Sequence, residues 1–239
     1  MRLFLIIISF FLISCETTTK INDYKEEKSS SNKDKAEYVE AKGIDYFNKY
    51  INSKCDQLID KTYFQICYDY DLNLATAVGY KLEGDLVDEL NIKDRPYFYA
   101  EPTLPQSEQI EPNNYKGTGY DRGHMAPDAA FDWSKESLNA TYSMANIIPQ
   151  LAEVNREEWS RAEEHARKMA KKYNEITVVN LIVFDENITK IGKTPVALPK
   201  GFYKIMYNIS KNYQECYYYS NTQNQSKTLN KHLISCDNL

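Results

Sequence analysis

Five runs rich in β-branched and aromatic residues set the limits on how this chain can fold. They lie at 62–70, 75–82, 176–184, 202–209 and 215–219. Such residues favour the pleated, half-buried surface of a sheet. Between the second and third runs the period changes. From 155 to 173, Trp159, Ala162, Ala166, Met169 and Ala170 recur at helical spacing and make one apolar stripe. Asn155 with Glu158 three residues on has the pattern of a capping box at the start of that helix. Residues 134–144 read as a shorter helix. So does 38–59, on Tyr38, Ile44, Phe47, Ile51 and Leu58. Asp71-Leu-Asn supplies a turn between the first two strands, predicting a hairpin packed on the core, and 146–150 reads as an irregular turn around Pro149. Strands dominate and helices are few, which predicts an α+β fold.

The 239 residues suffice for one sizeable domain with a real core, and the amino terminus stands apart from it. Met1-Arg2 precedes a nearly unbroken apolar run over 3–13. That is too short to span a bilayer as a finished helix and fits the core of an export signal. It ends in Leu12-Ile13-Ser14-Cys15, which resembles a bacterial lipobox. The expectation is a signal peptide over 1–14 and a lipid on Cys15, with the protein held on the bacterial cell envelope. A plain signal peptide with a chance cysteine is the alternative. Stable anchoring takes more than one acyl chain, since each buried methylene adds only ~0.8 kcal/mol. Residues 15–37 are rich in Lys, Glu, Ser, Thr and Asn and read as a tether, leaving 38–239 as the domain.

Four further cysteines, Cys55, Cys67, Cys216 and Cys236, suggest two disulfides in an exported protein. Three pairings exist, and proximity favours Cys55–Cys67 with Cys216–Cys236. A zinc site finds no close Cys-x-x-Cys spacing. The formal net charge of −5 argues against a basic nucleic-acid coat. It leaves room for an enzyme that grips phosphate with a few local arginines.

The chemistry concentrates in Gly119-Tyr-Asp-Arg-Gly-His-Met-Ala-Pro127. An acid, a guanidinium and an imidazole stand together at Asp121, Arg122 and His124. Gly119 and Gly123 bracket them and permit backbone that other residues resist. With Thr141-Tyr-Ser-Met-Ala-Asn-Ile-Ile-Pro-Gln150 and Asn155-Arg-Glu-Glu-Trp159, this stretch resembles the endonuclease G-like DNA/RNA non-specific endonuclease family. That family belongs to the ββα-metal, or His-Me finger, nucleases, and the likeness runs from about Tyr63 to Tyr207. It implies a central, mostly antiparallel sheet flanked by helices, and Mg²⁺-dependent hydrolysis of DNA and RNA that leaves a 5′-phosphate. Mn²⁺ would be a substitute ion. The resemblance also leaves a homodimer open.

By the same resemblance, His124 matches the general base; an imidazole with an ordinary pKa near ~6.5 is largely neutral at neutral pH. Asn155 matches the metal ligand, its amide oxygen suiting a hard cation, although a helix cap would use the same side chain. Glu163, two helical turns on, matches an acid that holds waters around the metal; an i,i+4 pair with Arg167 is the plain alternative. Arg122 would hold the phosphate or its transition-state charge, and Arg95 and Arg167 resemble further arginines of the substrate cleft. Asn146 and Gln150 match polar positions that orient waters or phosphate, or merely hold the turn. Asp121 reads as a brace for Arg122 or the turn, His165 as surface, and His232 as unremarkable. The sequence departs from the family at Asn180-Leu181, where many members carry Thr-Gly. The competing function is a non-catalytic surface lipoprotein that uses the same fold to bind polyanions or a partner.

Overall fold

The computed structural model describes residues 55–87 and 89–239. The expected signal peptide, Cys15, the tether and most of the helix expected over 38–59 lie outside the described residues. The end of that expected helix is extended instead, because it adds an edge strand to the first hairpin. In chain order the strands are β1 (Gln57–Asp60), β2 (Phe64–Asp69), β3 (Leu74–Glu83), β4 (Asp121–His124), β5 (Ile147–Gln150), β6 (Glu175–Val183), β7 (Lys190–Ile191), β8 (Val196–Ala197), β9 (Gly201–Asn208), β10 (Tyr213–Ser220) and β11 (Leu233–Ile234). Among the described residues two α-helices stand between them, α1 (Lys135–Thr141) and α2 (Ser160–Tyr173).

Seven strands form the main sheet in the order β1-β2-β3-β6-β9-β10-β11, with each neighbouring pair antiparallel. β2 and β3 make the predicted hairpin, and Asn73 closes its turn at φ 56°, in the left-handed region that Asn tolerates. β6 is central as its apolar composition predicts. Its register sets Val178 against Tyr80 on one side and Met206 on the other. Strands flanked on both sides and covered on both faces lose alternation and read as continuous apolar runs, as β3 and β9 do.

One face of the sheet carries the principal core. Ile66, Val78, Val178, Phe202 and Met206 pack there with Trp159, Ala162, Ala166 and Ala170. The alanines bring the helix backbone close to the sheet: a Cβ on Gly84 would sit 2.7 Å from the Ala170 carbonyl oxygen. The other face carries a smaller cluster of Cys67, Ala77, Val179, Ile205, Tyr207 and Cys216. Two disulfides border it, Cys55–Cys67 and Cys216–Cys236, the pairing that sequence proximity favours. Each closes a short loop, with separations of 12 and 20 residues, and contributes about 3 kcal/mol by restricting the unfolded chain.

On the principal face sits a finger. β4 and β5 pair antiparallel, Asp121 with Gln150 and His124 with Ile147. The chain then enters helical structure at Ala152, widens into a π turn over Val154–Trp159 and continues as α2. Residues 146–150 are therefore a turn running into a strand rather than an irregular turn alone. Pro149 is accommodated because this two-stranded sheet has only one pairing edge to satisfy. Among the described residues no helix is long and apolar enough to cross a membrane.

Candidate active site

The two glycines of the Asp-Arg-Gly-His stretch have different reasons. Gly119, at φ +85°, turns the chain into β4 through the left-handed region. Gly123 has an ordinary strand conformation, contrary to the expectation from sequence. It is needed for space, because a Cβ there would lie 2.0 Å from Gln150 Oε1. Alternation along β4 then puts Arg122 and His124 on one face. The exposed Arg122 guanidinium lies 4.5 Å over the Phe98 ring. The His124 ring packs 5.4 Å from Phe98 and 5.0 Å edge-on to Tyr142. Its Nε2 is shielded from solvent and has no hydrogen-bond partner among the described residues.

Burial is the main force on this imidazole and disfavours its charged form. Asp128 opposes that effect, but Arg95 and Arg122 add to it, and the pKa falls to about 4. Asp128 is itself engaged. It accepts the Tyr142 hydroxyl hydrogen bond at 2.9 Å and faces Arg95 Nε at 3.3 Å. Arg95 further donates to Asp132 at 3.0 Å and to the Ile92 carbonyl at 2.9 Å. A neutral ring with an unpartnered nitrogen is thus held between two aromatic walls, beside two fixed positive charges.

Asn155 lies in the π turn, not at a cap, so the expected capping box does not form. The helix has already begun at Ala152, and the Asn155 backbone N–H bonds the Leu151 carbonyl at 2.9 Å. Glu158, the expected partner in that box, points into the core, where burial and the charges of Glu153 and Glu157 push its carboxyl up. The reciprocal box sits instead on α1, between Ser134 and Ser137. Released from capping, the Asn155 side-chain amide donates to Asp121 Oδ2 at 3.0 Å. That leaves Oδ1 with no protein donor among the described residues. Asp121 does not brace Arg122. It takes a bidentate pair of bonds from Arg156, both at 2.8 Å. Burial alone would raise the Asp121 carboxyl, and the bonds from Arg156 and Asn155 hold it below its ordinary range.

A buried polar cluster underlies the finger. Lys204, fully buried on β9, donates to Asn180 Oδ1 at 2.9 Å and lies 3.9 Å over the Trp159 ring. Asn180 Nδ2 donates to the Met125 carbonyl at 2.6 Å. The departure from the family pattern at 180 therefore ties the sheet to the residue after His124. Glu163 stands within the field of this cluster. Burial pushes its carboxyl up to about 7, against Lys204, Arg167 and a smaller contribution from the Trp159 indole. Lys204 moves the opposite way, down to about 7, because burial penalises the ammonium more than Glu163 restores it. The sequence marked Asn180 only as a departure from the family pattern and did not single out Lys204. The available signal was a charged and an amide residue inside otherwise apolar central strands.

Asn146 and Gln150 differ in task. Asn146 is fully buried. Its Oδ1 accepts from the Ala126 N–H at 2.8 Å, and its Nδ2 donates to the Ala126 and Thr141 carbonyls, both at 2.9 Å. Of the two tasks left open by sequence, these bonds give it the turn. Gln150 is also buried, but neither its Oε1 nor its Nε2 has a partner among the described residues. His165 is not plain surface: its Nε2 meets Glu215 on β10 at 2.6 Å. His232 is buried, stacked 4.1 Å from Tyr219, with both ring nitrogens facing carbonyl oxygens. Arg167 shares the half-buried face of α2 with Glu163. Among the described residues no group of three or more His, Cys, Asp or Glu is placed to hold a metal ion. A cation here could be met by Asn155 Oδ1, a hard neutral donor that leaves most of the shell to water and ligand.

A sequence profile of the DNA/RNA non-specific endonuclease family matches residues 43–239. Mitochondrial endonuclease G of Bos taurus is 25% identical over 160 residues, covering 63% of this chain and 54% of that protein. A nuclease of Nostoc sp. is 29% identical over 150 residues, covering 62% of this chain and 53% of that protein. The chain thus spans about half the length of these relatives. A chain from the crystal structure of the EndoG/EndoGI complex, which addresses inhibition of EndoG, superposes with a TM-score of 0.68 at 21% identity. That match covers 77% of this chain and 82% of that one.

Proposed function

Because the chain belongs to the DNA/RNA non-specific endonuclease family, we propose that it is a divalent-metal-dependent endonuclease. It would hydrolyse phosphodiester bonds of both DNA and RNA with little base preference. The observation that carries this reading is the finger itself. It holds a neutral, unpartnered imidazole nitrogen at one end of β4, and at the other end Asp121 accepts from the Asn155 amide nitrogen, leaving the amide oxygen without a protein donor among the described residues.

Hydrolysis of a phosphodiester needs a proton acceptor for the attacking water, positive charge at the phosphate and a proton for the leaving oxygen. His124 Nε2 takes a proton from water as the water oxygen bonds phosphorus and the bond to the 3′ oxygen breaks. The departing oxygen takes a proton from solvent, leaving a 5′-phosphate. Arg122 faces the same side as His124 and holds the phosphate oxygens. Arg95, already fixed by Asp128 and Asp132, presents its charge toward the ring. Arg167 adds charge from α2. Asn155 Oδ1 would hold Mg²⁺, or Mn²⁺ in its place, while Glu163 orients water around it. Such an ion supplies Lewis-acid polarisation of the phosphate and charge neutralisation when bound. Gln150, with an unpartnered buried amide against Gly123, is a candidate to order water at the base of the finger.

The full chain, incubated with plasmid and with RNA, should cut both in Mg²⁺ and neither in EDTA. Cleavage that ignores EDTA, or no cleavage under any divalent ion, refutes the proposal. The lipobox reading adds that Cys15 carries the anchor. Cys15→Ser should then move the protein from the membrane to the soluble fraction.

A further inference from the structure

Beside the catalytic finger lies a cavity of about 260 Å³, between the short turn Pro112–Tyr115 and the first half of β4. Asn113, Tyr115, Lys116, Tyr120, Asp121 and Arg122 line it. Building on the nuclease reading, we propose that this cavity binds one unstacked nucleotide of the substrate strand, next to the scissile phosphate. The occupant is a nucleobase with its own phosphate, from DNA or RNA, and not a stacked base pair.

The chemistry of the lining selects that occupant. Tyr120, half-buried, offers an aromatic face, on which any base can stack whatever its sequence. Asn113 is exposed at the rim, with an amide that can donate to or accept from a base edge. Lys116 and Arg122 are exposed, and neither has a carboxylate partner among the described residues. In a chain of net charge −5 that is a local positive field. Asp121, the one acid in the wall, is neutralised by its bidentate pair with Arg156. Two phosphate-seeking groups therefore flank an aromatic slot. Such a slot admits a base only after it has left its stack, which single-stranded nucleic acid allows at least cost.

The cavity is preformed. The Asn114 carboxamide clamps the turn through two 2.8 Å bonds, to the Thr194 carbonyl and from the Thr194 N–H. Thr118 Oγ1 donates to the Tyr115 carbonyl at 2.8 Å and accepts from the Tyr120 N–H at 3.3 Å. Gly117 and Gly119, at φ +77° and +85°, turn the connecting loop through the left-handed region. Buried Tyr115 lines the cavity, with its hydroxyl donating to the Ile147 carbonyl at 3.3 Å. A site already in its bound shape loses little entropy on filling. Arg122 fixes the location: it lines the cavity and also lies over Phe98, which packs against the His124 ring.

Tyr120→Ala, Tyr120→Phe and Lys116→Ala in the full chain test the proposal. The substrates are a single-stranded oligonucleotide, the same sequence as duplex, and bis(p-nitrophenyl) phosphate, which has no base. For Tyr120→Ala the expected result is a rise in KM of about tenfold to a hundredfold on single strands. That is the range for losing one base stack. kcat should hold, base-free hydrolysis should be unchanged, and the preference for single strands over duplex should shrink. Tyr120→Phe should restore KM. Lys116→Ala should raise KM on both nucleic acids alike. A Tyr120→Ala protein with unchanged KM, or one equally impaired on the base-free substrate, overturns the proposal. A second arm does not depend on turnover. His124→Ala protein binding a fluorescent single-stranded oligonucleotide in EDTA should lose affinity on adding Tyr120→Ala. If no protein cuts any substrate but this difference in binding persists, the nuclease reading fails and the nucleotide site stands. If binding is indifferent to Tyr120, the site fails whatever the activity.

Discussion

Asp121→Ala should separate the stability of the finger from its use of metal. The substitution removes two bonds to Arg156 and one to Asn155. The Arg156 pair lies in solvent, with the guanidinium side chain 69% exposed, so its loss matters little for folding. The Asn155 bond is half-sheltered and contributes about 1 kcal/mol. For a domain of this size that lowers Tm by roughly 2–4 °C. The effect on metal should be far larger. Without Asp121 the Asn155 amide has nothing to set which end it leaves to a cation. Losing a group that orients a ligand typically costs about 10- to 100-fold in metal affinity or activity. Mg²⁺ titration of cleavage rate, alongside a melting curve, reads both quantities. The half-saturating Mg²⁺ concentration should rise about 10- to 100-fold, with kcat at saturation largely kept. Asp121→Asn retains an acceptor and should fall between, whereas Arg156→Ala should change little. An Asp121→Ala protein that melts normally and needs no more Mg²⁺ than the parent would refute the orienting role.

Other outcomes are expected. Burial keeps the proposed base His124 neutral, so its own limb of kcat/KM should appear as pH falls through about 4, below the limb near 7 that Glu163 contributes; in Glu163→Gln protein only the lower limb should remain, and an inflection near ~6.5 there would show an ordinary imidazole. The same shift bears on stability. A depressed histidine contributes stability above its unfolded value that is lost as pH drops toward the folded one. The parent should therefore lose more Tm than His124→Ala between pH 6.5 and 4. Reducing both disulfides should cost about 3 kcal/mol each, read as a lower denaturant midpoint, and Cys67→Ala with Cys55→Ala should reproduce half of that loss. Gly123→Ala should displace the Gln150 carboxamide and lower kcat with a modest fall in Tm; unchanged activity would show that the close approach has no catalytic consequence.

The main sheet was legible because β2, β3, β6, β9 and β10 carry β-branched and aromatic residues over lengths that only strands fit. The alanine stripe of α2 was legible for the same kind of reason. The finger strands were not. Gly123 and Pro149 are poor strand formers, and β4 and β5 are four residues each, held by tertiary packing rather than propensity. The capping-box reading at Asn155 failed because Asn-x-x-Glu is a local pattern. It carries no sign that Ala152 and Glu153 have already begun the helix. The link between Lys204 and Asn180 was invisible for a different reason. A polar residue in a strand reads as the solvent face until a partner across the sheet is known, and here the partner is the other polar residue. His165 and His232 found their partners on β10 and the carboxy-terminal segment, at sequence distances that no local pattern reports.

Two single substitutions, measured side by side over a range of Mg²⁺, test the finger most directly. His124→Ala should lower kcat by about 10²- to 10⁴-fold at saturating Mg²⁺ and leave the half-saturating concentration where it was. Asn155→Ala should raise that concentration steeply. If His124→Ala cuts DNA and RNA as fast as the parent, or if Asn155→Ala responds to Mg²⁺ as the parent does, the imidazole and the carboxamide are not the base and the ligand.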